Sequence, residues 1–93
     1  MKLPPQATLE QAAALAQMLP AALAESSGTL RIDASALEGF DSSTIALLMQ
    51  ARRLAQAAGR GFEVTAAPAK LAELARLYGV GELLALRTPG PSD

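Results

Sequence analysis

Leu30-Arg31-Ile32-Asp33-Ala34-Ser35, a short link to Phe40, and then Asp41-Ser42-Ser43-Thr44-Ile45-Ala46-Leu47-Leu48 decide the fold of this chain. From Thr29 to Ala34 the side chains alternate: Leu30, Ile32 and Ala34 fall on one side, Arg31 and Asp33 on the other, which is the period of a strand. Ser35 to Phe40 reads as a loop. Asp41 stands where an N-cap belongs, and a helix is expected from about Ser42 to Ala58, with Gly59 just past its end. Gly59-Arg60-Gly61 then turns the chain into a second alternating run, in which Phe62, Val64 and Ala66 face away from Glu63 and Thr65. A strand, a helical crossover of about two dozen residues and another strand imply a parallel pair with a right-handed connection. The fold class is therefore α/β, a small, largely parallel sheet with helices packed against it.

Working outward, Pro68 suits the first position of a further helix lined by Leu71, Leu74, Ala75 and Tyr78 and closed by Gly79. Val80 to Leu86 fits one helical turn or a last short strand, and residues 88–93 (Thr-Pro-Gly-Pro-Ser-Asp) read as a disordered tail. Upstream, Thr8-Leu9-Glu10-Gln11 has capping-box spacing and opens a first helix. Leu9, Ala12, Ala16, Leu19 and Leu23 recur along one face of it, Pro20 should kink or split it, and Ser26-Ser27-Gly28 ends it. Glu10, Gln11, Gln17 and Pro20 argue against reading Ala12 to Ala24 as a secretion signal, although Ala22-Leu23-Ala24 has the form of a cleavage site. Before Thr8, the pair Pro4-Pro5 allows Met1 to Ala7 at most a short edge strand. An exposed sheet edge there is a route to a homodimer of the isolated chain.

The chain has 93 residues, enough for one domain, here residues 1–87 followed by the tail. Half of it (51%) is hydrophobic but only 3% is aromatic, so the core must be built from Leu, Ala, Ile, Val and Met. Nucleic acid is not an expected partner: the net charge is −1 and few aromatic rings are available to stack on bases. There is no Cys and no His, which removes thiolate nucleophiles, imidazole bases and the usual zinc ligands. No metal, no cofactor and no enzyme activity is expected. No apolar run approaches the roughly 20 residues that span a bilayer, so direct membrane insertion is not expected either.

Asp41-Ser42-Ser43-Thr44 is the densest group of side-chain oxygens. One reading is capping, with Asp41 accepting backbone amides. The other is a docking or regulatory site, since Ser42 and Ser43 at an exposed helix start are candidates for phosphorylation. A nucleophilic role lacks a base, and nothing in the sequence places Lys70 nearby. At about 100° per residue, Thr44, Leu47, Leu48, Ala51, Leu54, Ala55 and Ala58 share the arc expected to face the sheet. Ser42, Ile45, Met49, Arg52, Arg53 and Gln56 share the opposite arc. Two apolar side chains between a hydroxyl and two guanidinium groups read as a partner-binding stripe, the alternative being that a neighbouring helix covers Ile45 and Met49.

The order of these pieces resembles the STAS domain, whose hallmark is an Asp-Ser-Ser-Gly or similar run at the start of the second helix. Thr44 stands where that motif usually has a small residue. Ala51-Arg52-Arg53-Leu54-Ala55 and Leu77-Tyr78-Gly79-Val80 are similar to the stand-alone MlaB-like branch. The family normally places two strands ahead of the first helix, where this sequence offers Met1 to Ala7. The resemblance implies a cytoplasmic, non-catalytic subunit, peripheral to the inner membrane of Gram-negative bacteria. Its partners would be the MlaF-like ATPase of a phospholipid ABC transporter and the permease with it. Ser42 aligns with the hydroxyl that lies at the ATPase contact in MlaB-like proteins and is phosphorylated in sigma-regulating relatives. On this resemblance Ser42, Ile45, Met49, Arg52 and Arg53 dock the ATPase. The alternative it implies is an anti-sigma-factor antagonist controlled by phosphorylation of Ser42.

Overall fold

A computed structural model describes residues 1–25 and 27–84. The elements follow the order β1 (Gln6–Ala7), α1 (Leu9–Ala24), β2 (Leu30–Asp33), β3 (Gly39–Phe40), α2 (Ser42–Ala57), β4 (Phe62–Thr65) and α3 (Ala69–Leu77). β2 and β4 pair in parallel from Leu30 opposite Phe62 to Asp33 opposite Thr65, and β1 pairs in parallel with β3. Met1 to Leu3 joins the two pairs: the Asp33 N–H donates to the Met1 carbonyl at 2.7 Å, and the Leu3 N–H donates to the Asp33 carbonyl at 2.8 Å. The N-terminal stretch is thus a strand in two pieces, broken at Pro4-Pro5 because proline has no N–H to give a ladder.

β3 is a departure from the loop expected between Ser35 and Phe40. Two residues are too few to show a period, and Gly39-Phe40 becomes a strand only because Gln6-Ala7 runs beside it. Leu30, Ile32 and Val64 lie on the buried face of the sheet with Leu15 and Leu19 of α1, Leu47 and Leu48 of α2, and Leu71 and Ala75 of α3. The other face is polar, and Arg31 pairs there with Glu63 across the parallel strands.

α1 runs unbroken through Pro20, contrary to the expected split. Pro20 is exposed, and the helix gives up one backbone bond there without breaking. The Gln11 Oε1 accepts from the Thr8 N–H at 3.0 Å and from the Thr8 hydroxyl at 2.9 Å, which fixes the helix start. Its core-facing arc is offset from the expected one. Leu15 and Leu19 are buried, Ala12, Ala16 and Leu23 are half-buried, and Leu9 is 73% exposed.

α2 and α3 end alike. Gly59 and Gly79 adopt left-handed φ values of 72° and 74°, and the next residues, Arg60 and Val80, donate back to Ala55 and Ala75. Pro68 caps α3 rather than occupying its first turn, and Tyr78, expected to line that helix, is exposed as its C-cap. Ala66, between β4 and Pro68, has φ +55°, an uncommon conformation for a residue with a Cβ. Beyond α3 the Leu84 N–H donates to the Val80 carbonyl at 3.1 Å, which matches the one-turn reading of this segment. The expected tail over 88–93, and the domain limit at 87, lie outside the described residues.

Candidate functional site

The start of α2 is built around two side chains. The Asp41 carboxylate accepts from the Ser43 N–H at 2.8 Å through Oδ1, the N-cap bond read from the sequence. Its second oxygen, Oδ2, accepts from the Leu9 N–H at 3.3 Å, at the first residue of α1. One carboxylate therefore joins the N-termini of both helices, and its negative charge sits at the positive end of each dipole.

Thr44 is fully buried. Its hydroxyl donates to the Ala7 carbonyl at 2.6 Å and accepts from the Asp41 N–H at 3.1 Å. It ties α2 to β1, and no buried side-chain polar atom among the described residues is left without a partner. The sequence held a signal for this bond. Thr44 was the one polar residue in the arc assigned to the sheet, and a buried hydroxyl needs an acceptor.

With the helix start fixed, the outward side of α2 is fixed too. Ser42 is exposed, Ser43 is half-buried toward α1, Met49 and Arg52 are half-buried, and Arg53 is exposed. The Arg52 guanidinium donates to Gln56 Oε1 at 3.2 Å, one turn along. Ile45 departs from the expected stripe: it is only 4% exposed and belongs to the core. The buried arc of α2 spans about 160° at the helical repeat, and Ile45 falls at its edge beside Leu48. A helix packed between two neighbours buries a wider arc than one lying alone on a sheet. The surface that remains carries Ser42, Ala46, Gln50 and Arg53, with Met49 and Arg52 at its margin.

Sequence reasoning missed what lies next to this surface. Leu9, Ala12 and Ala16 of α1 and Ala46, Leu47 and Gln50 of α2 line a shallow groove of about 360 Å³. Its walls advance in step along both chains, so the two helices run parallel. At their far end the Arg60 side chain donates to the Leu23 carbonyl at 2.7 Å and the Gly28 carbonyl at 2.8 Å, clamping the end of α1. Both ends of the helix pair are thus tied by side-chain hydrogen bonds.

Chemically, the site offers hydroxyls and cations. Both oxygens of Asp41 are engaged by backbone amides. Among the described residues there is no group of three or more metal-ligating side chains, and no helix is long and apolar enough to cross a membrane.

The family model described as "Mlab, STAS domain" matches residues 1–86. The chain belongs to the STAS family. Comparison with curated proteins and with solved structures finds no match. Among the described residues, three helices and two small parallel strand pairs fit a small STAS domain, and membership supports a role in protein interaction. In this STAS domain the Asp-Ser-Ser run falls at the entry to α2, where Asp41 holds two helices and leaves Ser42 exposed.

Proposed function

We propose that this STAS domain is the non-catalytic subunit that binds the ATPase of a Mla-type ABC transporter. In that role it supports the complex's assembly and activity in the phospholipid transport that maintains outer-membrane lipid asymmetry. The observation that carries the reading is the match of residues 1–86 to the MlaB-type STAS model. The geometry of α2 is consistent with it: an exposed hydroxyl, a half-buried Met and an exposed Arg lie on a helix anchored at its start, so a partner meets a preformed surface. In this reading the protein is cytoplasmic, held at the inner membrane through the ATPase and permease. Ser42, Met49, Arg52 and Arg53 carry the contact. Ile45 supports them from the core.

The test is co-purification from the native bacterium in mild detergent, comparing wild type with Ser42→Glu and Arg53→Glu. Recovery of an ABC ATPase and its permease, reduced about tenfold or more in both variants, is the expected outcome. Both positions are exposed, so the fold should survive the changes. Recovery unchanged by either variant would remove this face from the proposal. Ile45→Asp is unsuitable as a probe because it buries an unpaired charge.

Exposure of Ser42 also keeps a second reading in view, an anti-sigma-factor antagonist switched by phosphorylation at that hydroxyl. A serine kinase or anti-sigma factor in the same eluate, with stoichiometric phosphate on Ser42, would select it.

A further inference from the structure

The groove between α1 and α2 and the charges around it are self-complementary. α1 carries a single charged residue, Glu10 in its first turn, and α2 carries two, Arg52 and Arg53 in its C-terminal half. Asp41 sets the two helix starts side by side, so Glu10 lies level with the entry to α2. Arg53 lies ten residues past Ser43, about 15 Å further along. Both Glu10 and Arg53 are exposed on the outward side of the helix pair. Between them the surface is made of Ala13, Ala46, Gln17 and Gln50, with the groove running beneath. One end of this face is negative, the other positive, and the middle is small and uncharged.

We propose that a second copy of this chain packs face to face on this surface, about a two-fold axis that lies in the interface and crosses the line from Glu10 to Arg53 at right angles at its midpoint. That axis sets Glu10 of each copy against Arg53 of the other, whereas an axis along the Glu10–Arg53 line would bring like charges together. It also accounts for Leu9. That side chain is 73% exposed beside Glu10, and the two-fold carries it with Glu10 to the Arg53 end of its partner's face, against the apolar stem of that arginine. The alanines let the helix pairs approach closely. The contact is small, so the dimer belongs to the weak, concentration-dependent class. It uses the helix face and not the sheet edge expected at Met1 to Ala7, a stretch that lies between β2 and β3 and so is not an edge.

The experiment is sedimentation velocity of the full chain across the micromolar range, for wild type, Leu9→Glu, Glu10→Arg, Arg53→Glu and the double charge swap. Wild type should dimerise with rising concentration. Leu9→Glu should weaken the dimer about tenfold or more, and each single charge reversal severalfold. The double swap should recover most of the wild-type affinity, a result that loss of packing alone would not produce. All three positions are exposed, and circular dichroism checks that the variants fold. A chain that stays monomeric throughout, or a dimer indifferent to Leu9→Glu and the charge reversals, overturns the proposal. Arg53 also belongs to the ATPase-docking reading, and the two separate cleanly. ATPase capture by a chain that never dimerises sinks only this inference, while a dimer that captures no ATPase sinks only that reading.

Discussion

The starts of α2 and α3 solve the same problem by opposite means. α2 begins with Asp41 and Thr44: the Asp41 carboxylate accepts from the Ser43 and Leu9 N–H groups, and the Thr44 hydroxyl accepts from the Asp41 N–H and donates to the Ala7 carbonyl. α3 begins with Pro68, which makes no side-chain cap, and it is held by burial of Leu71 and Ala75. Hydrogen bonds are directional and fix orientation, whereas apolar burial is nondirectional and mainly supplies stability. The helix that presents a surface to partners is the one whose start is tied by geometry.

The largest effect should come from the apolar end. Leu71→Ala removes a fully buried side chain and should cost about 2–5 kcal/mol in urea unfolding, with the remaining structure at α2 unchanged in type. Thr44→Val keeps the shape of the side chain but leaves the Ala7 carbonyl and Asp41 N–H without their partner. It should cost about 1–3 kcal/mol and should speed amide exchange at Asp41. Equal exchange protection at Asp41 in wild type and variant would break the comparison at its centre. Ala66→Gly, at the approach to α3, relieves a left-handed backbone and should raise stability by about 0.5–1 kcal/mol.

The smallest effect concerns pH. Asp33 has its pKa lowered, chiefly by the Ser35 N–H donated to Oδ1 at 2.8 Å and the Ser35 hydroxyl, with Lys2 assisting and burial opposing. The carboxylate is therefore favoured in the folded state. Its contribution is present above the ordinary aspartate range and is lost as pH falls through the lowered value. Thermal melts of wild type and Asp33→Asn should differ slightly near neutrality and converge on acidification.

Much of this was legible in the sequence because caps and periods are local. Asp41, Gly59 and Gly79 announced the ends of helices, and the alternation around Ile32 and Val64 announced the parallel pair. What escaped was set by neighbours distant in the chain. Ile45 was assigned to the surface because a helical wheel shows direction but not how wide an arc its neighbours cover. Leu9 and Tyr78 were assigned to buried faces because each sits at helical spacing in a last or first turn, where the chain has already left the core. β3 escaped because two residues have no period, and the bond from Asp41 to Leu9 because 32 residues separate them.

That last bond makes position 41 more demanding than an ordinary helix cap. Serine, threonine, asparagine and aspartate are close to interchangeable when one helix is capped, since one acceptor oxygen suffices. Here two helices draw on one side chain. A hydroxyl offers a single oxygen with too little reach, and an amide presents a donor where the second helix needs an acceptor. Only a short carboxylate answers both, so Asp41→Asn should loosen α1 while leaving α2 capped.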